Sequence, residues 1–106
     1  MADTALLALT TEANGELAEQ LARTLLERQL AACVALRPVT SLYHWQGRIE
    51  RSEEVQILIK SHPSHAAALE QAVQELHSYS TPQWLVWAAE ASDAYEAWLS
   101  ECCVIS

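Results

Sequence analysis

The 106 residues contain no phenylalanine, only two glycines and three prolines, and six basic side chains against 14 acidic ones. Each scarcity removes a class of protein. Gly15 and Gly47 stand alone, so no glycine-rich loop can cradle a phosphate. So little glycine and proline, beside a hydrophobic fraction of 51%, argues against disorder and low complexity. The formal charge of −8 repels phosphate backbones and anionic lipid, so neither nucleic acid nor a membrane surface is expected as a partner. No Cys-x-x-Cys pair occurs among Cys33, Cys102 and Cys103, which removes zinc-ribbon, thioredoxin and copper-chaperone signatures. An odd cysteine count with two neighbours adjacent is no disulfide framework; reduced thiols in a cytoplasmic protein are expected. No run approaches the roughly 18 to 20 apolar residues of a membrane-spanning helix. The opening MADTALLALT lacks a basic region and does not read as a secretory signal.

What is present is enough apolar material for one domain, expected over residues 1–106, with four tryptophans and three tyrosines. Thr4 to Leu9 is a short apolar run suited to a strand buried on both faces. Leu17, Ala18, Leu21, Ala22, Leu25 and Leu26 recur at helical spacing and predict a helix from Glu16 to about Gln29, capped by Asn14. Ala32–Leu36 and Val39–Trp45 read as strand around an Arg37-Pro38 interruption that implies a bulge or an edge. Gln46-Gly47 turns the chain into Ile49–Lys60, completing a long antiparallel hairpin. Ser61 is placed to cap a second helix bearing Ala67, Leu69, Ala72, Val73 and Leu76. After the loop His77–Pro82, the strand Gln83–Ala89 sets Trp84 and Val86 on one face and Leu85 and Trp87 on the other. A last helix opens at Ser92-Asp93, with Asp93 and Glu96 at capping-box spacing. Tyr95 with Leu99, or Trp98 with Cys102, would line its inner side. The order is β-α-β-β-α-β plus a terminal helix: an α+β, ferredoxin-like arrangement with an antiparallel sheet and two helices on one face.

This fold hosts many activities, so function rests on residues. An RNA-recognition sheet needs aromatics on its first strand and basic surroundings, and both are missing. A phosphate-holding arginine is missing from the loop Thr10–Gly15. No nucleophile–base constellation stands out, and an enzyme is not expected. Four histidines remain. His62 and His65 are three apart near a helix start, His44 sits on the hairpin, and His77 ends the second helix. Imidazole suits copper, zinc and nickel.

The stretches Leu30-Ala-Ala-Cys33-Val, Thr40-Ser41-Leu-Tyr43-His-Trp45-Gln-Gly47-Arg-Ile49-Glu50 and Glu54-Val-Gln-Ile-Leu-Ile-Lys60 resemble the CutA divalent-cation tolerance proteins. So do His77-x-Tyr79-x-x-Pro82 and Tyr95-x-x-Trp98-Leu99, and the match runs nearly end to end. The resemblance implies a homotrimer whose hairpins reach neighbouring subunits, an architecture similar to trimeric nitrogen-regulatory signal proteins. It also implies a link to tolerance of copper and other divalent cations, Cu(II) being the candidate cofactor. The chain departs from the family at three positions. Where the family often reads His-Pro-Tyr-Glu-x-Pro-Glu, Ser80 and Gln83 replace the acids, and Thr10 stands where some members carry cysteine. Of the implied metal ligands only His77 is kept. Two functions follow as expectations. In one, a non-enzymatic cytoplasmic trimer binds a ligand at clefts between subunits, with Tyr43, Trp45, Lys60 and Tyr79, beside His77, as cleft residues. In the other, His77 with His44 and a C-terminal thiol buffers copper directly.

The tryptophan surplus fits the trimer. A four-stranded sheet with helices on one side leaves its other face bare, so Trp84 or Trp87 would meet water until sheets close on each other.

Overall fold

The computed structural model describes residues 3–103. Residues 1–2 and 104–106, which the one-domain expectation and the reading of the opening segment also cover, lie outside them. The chain runs β1 (Asp3–Glu12), α1 (Gly15–Glu27), β2 (Cys33–Trp45), β3 (Arg48–Ser61), α2 (Ala66–Leu76), β4 (Leu85–Ala91) and α3 (Asp93–Cys102). A short 3-10 turn, Pro63–His65, precedes α2. The strands form one antiparallel sheet in the order β2-β3-β1-β4. This is the α+β, ferredoxin-like order expected.

Strand alternation divides this sheet into two unlike faces. On one, Leu6 and Ala8 of β1 and Ile57 and Ile59 of β3 are buried together with Leu21 and Leu25 of α1 and Leu69 and Val73 of α2. Each of the buried leucine, isoleucine and valine side chains contributes about 1.5–3 kcal/mol. On the other face, Cys33, Lys60, Leu7 and Trp87 stand in one row across all four strands. Leu7 and Leu9 are half-buried there, and Leu85 and Trp87 are exposed. The first strand is thus fully buried on one face only. Trp84 packs on the core while Trp87 is 43% exposed, so the two indoles do part to opposite sides.

Local signals explain most boundaries. Asn14 Oδ1 accepts from the Leu17 N–H at 2.9 Å and starts α1. The helix ends in a Schellman pattern: Leu30 N–H reaches Leu25 O and Gln29 N–H reaches Leu26 O, with Gln29 at φ 59°. Gln46 and Gly47, at φ 49° and 77°, make the two-residue turn whose twist suits a hairpin. Pro38 lies on the edge strand β2 in unbroken register opposite Val55, so the edge is observed and the bulge is not.

Three expectations need correction. Ser61 caps no helix; it is the last residue of β3, buried on the covered face, and its Oγ–H donates to Leu30 O at 2.6 Å. His62 caps the 3-10 turn that precedes α2, its Nδ1 accepting from the Ser64 N–H at 3.1 Å, and α2 itself opens at its N-cap His65 without a side-chain cap bond. Asp93 does not cap α3, because Ser92 Oγ already accepts from the Tyr95 N–H at 3.2 Å. On α3, Leu99 is fully buried whereas Tyr95 and Trp98 remain partly exposed. β4 begins at Leu85, two residues later than expected, because the ladder with β1 starts at Leu9↔Leu85.

Candidate functional site

The C-terminal end of β1 and the segment following α2 are held together by a buried polar network. His77 is the C-cap of α2, and its ring turns inward. Nε2–H donates to the Thr11 carbonyl at 2.5 Å, and Nδ1 accepts from the Tyr79 N–H at 3.0 Å. Those partners fix the neutral tautomer with hydrogen on Nε2. Glu12 is buried beside it and accepts from the Ser78 N–H (3.0 Å), the Ser78 hydroxyl (2.5 Å) and the Ala13 N–H (2.9 Å). Burial alone would raise the Glu12 pKa, but these donors outweigh it and hold it below the ordinary 4.5.

The network aims Tyr79. Its ring lies 4.9 Å from that of His77, and its hydroxyl donates to Glu54 Oε1 on β3 at 2.9 Å. Burial, then the bond to Glu54, pushes this phenol well above its ordinary 10.0, so it stays a donor. In front of it opens a groove of about 700 Å³, walled by Tyr43 and Trp45 of the hairpin, Glu54 of β3, and Tyr79, Ser80 and Gln83 of the loop. Tyr43 is tied in place through its hydroxyl, 2.8 Å from Ser52 Oγ. The volume is that of a small-molecule site.

Of the expected cleft residues, Tyr43, Trp45 and Tyr79 meet in this groove. Lys60 does not line it. It lies on the same sheet face as Glu54 but six residues further along β3, roughly 20 Å away at the rise of an extended strand. His77 lies behind the wall, not in it. Sequence reasoning did not single out Glu12 or Glu54. The alternation Glu54, Gln56, Leu58, Lys60 places Glu54 on the open face, whereas nothing in the sequence marks Glu12 as buried.

A metal does not fit these residues within one protomer. Both His77 nitrogens are committed to backbone groups. Thr10 is buried on the covered face, while Ser80 and Gln83 line the groove. His44 is opposite Ile49 on the other side of the hairpin from Tyr43 and Trp45. His65 Nε2–H donates to Cys103 O at 3.2 Å, and burial pushes the Cys103 thiol up, away from the thiolate that metals prefer. Among the described residues no three His, Cys, Asp or Glu side chains are grouped to hold an ion.

Comparison with known proteins settles the kinship of this architecture. The family model described as CutA1 divalent ion tolerance protein matches residues 6–102. The chain belongs to the CutA1 family. The divalent-cation tolerance protein CutA of Pectobacterium atrosepticum is 44% identical over 98 residues, covering 91% of this chain and 89% of that protein. CutA of Yersinia pestis is 41% identical over 98 residues, covering 91% and 82%. Among solved structures, CutA of Synechococcus elongatus PCC7942 superposes with a TM-score of 0.93 at 38% identity, covering 98% of this chain and 95% of that one. The periplasmic divalent cation tolerance protein CutA of Archaeoglobus fulgidus does so with 0.91 at 31%, covering 94% and 99%. CutA1 proteins are named for tolerance of divalent ions and not for a reaction. Among the described residues, no helix is long and apolar enough to cross a membrane.

Proposed function

We propose that this CutA-type chain works as a non-enzymatic homotrimer of the cytoplasm, and that it serves divalent-ion tolerance by binding a small ligand in the Tyr43–Trp45–Tyr79 groove. The observation that carries the proposal is the construction of the groove. A network of buried His77, Thr11 and Glu12 tied to Ser78, costly to desolvate unless fully paired, is spent on aiming one tyrosine at one carboxylate. His77 is then a positioning residue for the loop, and tolerance of copper or another divalent cation operates through the liganded protein instead of a buffer built on His77, His44 and a thiol.

Trimer closure is supported by what the protomer leaves bare. Trp87 and Leu85 stand exposed on the open face, and Leu42 and Ile49 are 69% and 72% exposed on the hairpin. A neighbour covering those surfaces would also approach the groove, and Lys60, remote from the groove of its own protomer, is on the face that such a neighbour would meet. These bare surfaces support a binding site at the cleft between subunits, in the manner of small-molecule-sensing signal trimers.

Titration with Cu(II) and Zn(II), beside His77→Ala, tests the division of roles. Weak binding, unchanged by the substitution, is expected. Sub-micromolar Cu(II) binding abolished in His77→Ala would establish the buffer instead. Mass spectrometry of the protein as purified under native conditions is expected to show a bound small molecule, lost in Trp45→Ala.

A further inference from the structure

The turn from β1 into α1 carries a reactive pair that the groove does not use. The chain has a single asparagine, Asn14, and it stands directly before Gly15. Both residues are exposed. The Asn14 side chain is folded forward over the first turn of α1, where Oδ1 accepts the Leu17 N–H at 2.9 Å. That bond draws electrons from the carboxamide carbon Cγ, and it is placed to hold the negative charge that builds on Oδ1 when Cγ is attacked. The nucleophile is next in the chain. As the first residue of α1, Gly15 has no intrahelical partner for its N–H, which meets no acceptor among the described residues. Nothing lies within 4 Å of the place a Cβ would occupy, so no side chain shields the Gly15 nitrogen. Without a Cβ, Gly15 is also free to change φ as a ring closes.

We propose that Asn14–Gly15 is a site of spontaneous covalent modification, at which the folded chain converts Asn14 into a mixture of aspartate and isoaspartate. The Gly15 nitrogen attacks Asn14 Cγ and the new C–N bond closes a succinimide ring. The Cγ–Nδ2 bond breaks, and the amide takes up the Gly15 proton and leaves as ammonia. Water then opens the ring. Attack at Cγ gives aspartate, whereas attack at the main-chain carbonyl gives isoaspartate. The sum consumes water, releases ammonia and adds one negative charge per chain, with no oxidant or reductant. Aspartate keeps an acceptor for the Leu17 N–H and puts its charge at the positive end of α1. Isoaspartate lengthens the main chain just beyond Glu12, whose Oε1 holds the Ala13 N–H, and so shifts the start of α1 against the buried network.

The test incubates the full-length protein in mildly alkaline buffer at physiological temperature, folded and, in parallel, unfolded in urea. Peptide mass spectrometry follows Asn14, and Gln46, which precedes the other glycine, is the internal control. Folded protein is expected to gain about one mass unit at Asn14, at a rate within about tenfold of the unfolded chain. In step with that gain it should become a methyl acceptor for a protein isoaspartyl methyltransferase supplied with S-adenosylmethionine. Gly15→Ala sets a Cβ in open space and favours the helix, so the fold stays intact while the conversion slows about tenfold. Asn14→Ser keeps a cap acceptor and should abolish both the mass gain and the methyl acceptance. An unchanged mass at Asn14 in the folded protein overturns the proposal, whether or not the unfolded chain converts. So does conversion of Gly15→Ala at the wild-type rate, a gain confined to Gln46, or a gain at Asn14 without methyl acceptance.

Discussion

The two faces of the sheet are made by the same strands and reach opposite degrees of completion. Ile57 and Ile59 of β3 are fully buried beneath α1 and α2, while Leu58, between them, is only half-buried on the other side. Just before β4, Trp84 packs on the core, while Trp87 within the strand is left 43% exposed on the other face. The covered face is finished by its own chain at β1 and β3, though Val86 at the β4 edge stays 46% exposed; the open face is apolar yet unfinished, and it continues into the groove. The lesson is that alternation in a strand reports which residues share a face, whereas only the helices available to the chain decide which face is sealed.

The sharpest break of this contrast is a cavity under the helices. Ile59→Ala should lower unfolding free energy by about 3–4 kcal/mol in chemical denaturation at fixed protein concentration. On the open face, Trp87→Glu should leave the circular dichroism spectrum intact but weaken subunit association by about 2–3 kcal/mol. Light scattering should then fall from the mass of three chains towards one. A wild-type mass of one chain at micromolar concentration would refute the trimer itself.

Glu12, at the end of the covered face, gives a smaller effect with a pH signature. Its folded pKa lies below the unfolded 4.5, so its contribution is fully present above about pH 4.5 and is lost as pH falls through the lower, folded value. Glu12→Gln should cost about 1–2 kcal/mol at neutral pH and flatten the acid limb of the stability profile below 4.5. The smallest change has the opposite sign. Gln29→Gly relieves the left-handed residue that ends α1 and should raise stability by about 0.5 kcal/mol, read as a small rise in melting temperature.

The element order and the hairpin were legible because apolar spacing at periods of two and three to four needs no tertiary knowledge. The separation of Trp84 from Trp87 was legible for the same reason. Ser61 was misread because serine before His-Pro looks like a helix start, and only the register with Leu6 shows it pointing into the covered face. Glu12 was overlooked because an acid before Ala-Asn-Gly reads as solvated; its burial depends on donors from Ser78, 66 residues away. Lys60 shares a face with the groove, as periodicity says, but distance along a strand is not encoded in face.

The hairpin has a mechanical consequence. β1 supports β3 only from Val55 onward, so Arg48–Glu54 pairs with β2 alone and forms a two-stranded arm that helps stretch the molecule to 46 Å beside widths of 26 and 21 Å. Tyr43 and Trp45 ride on this cantilever, while Tyr79 is clamped to the body. An arm about 20 Å long that flexes at its root by about 10° displaces its tip by about 3.5 Å. The jaw formed by Trp45 and Tyr79 therefore has one fixed side and one sprung side, and whatever grips the arm from outside sets its gauge.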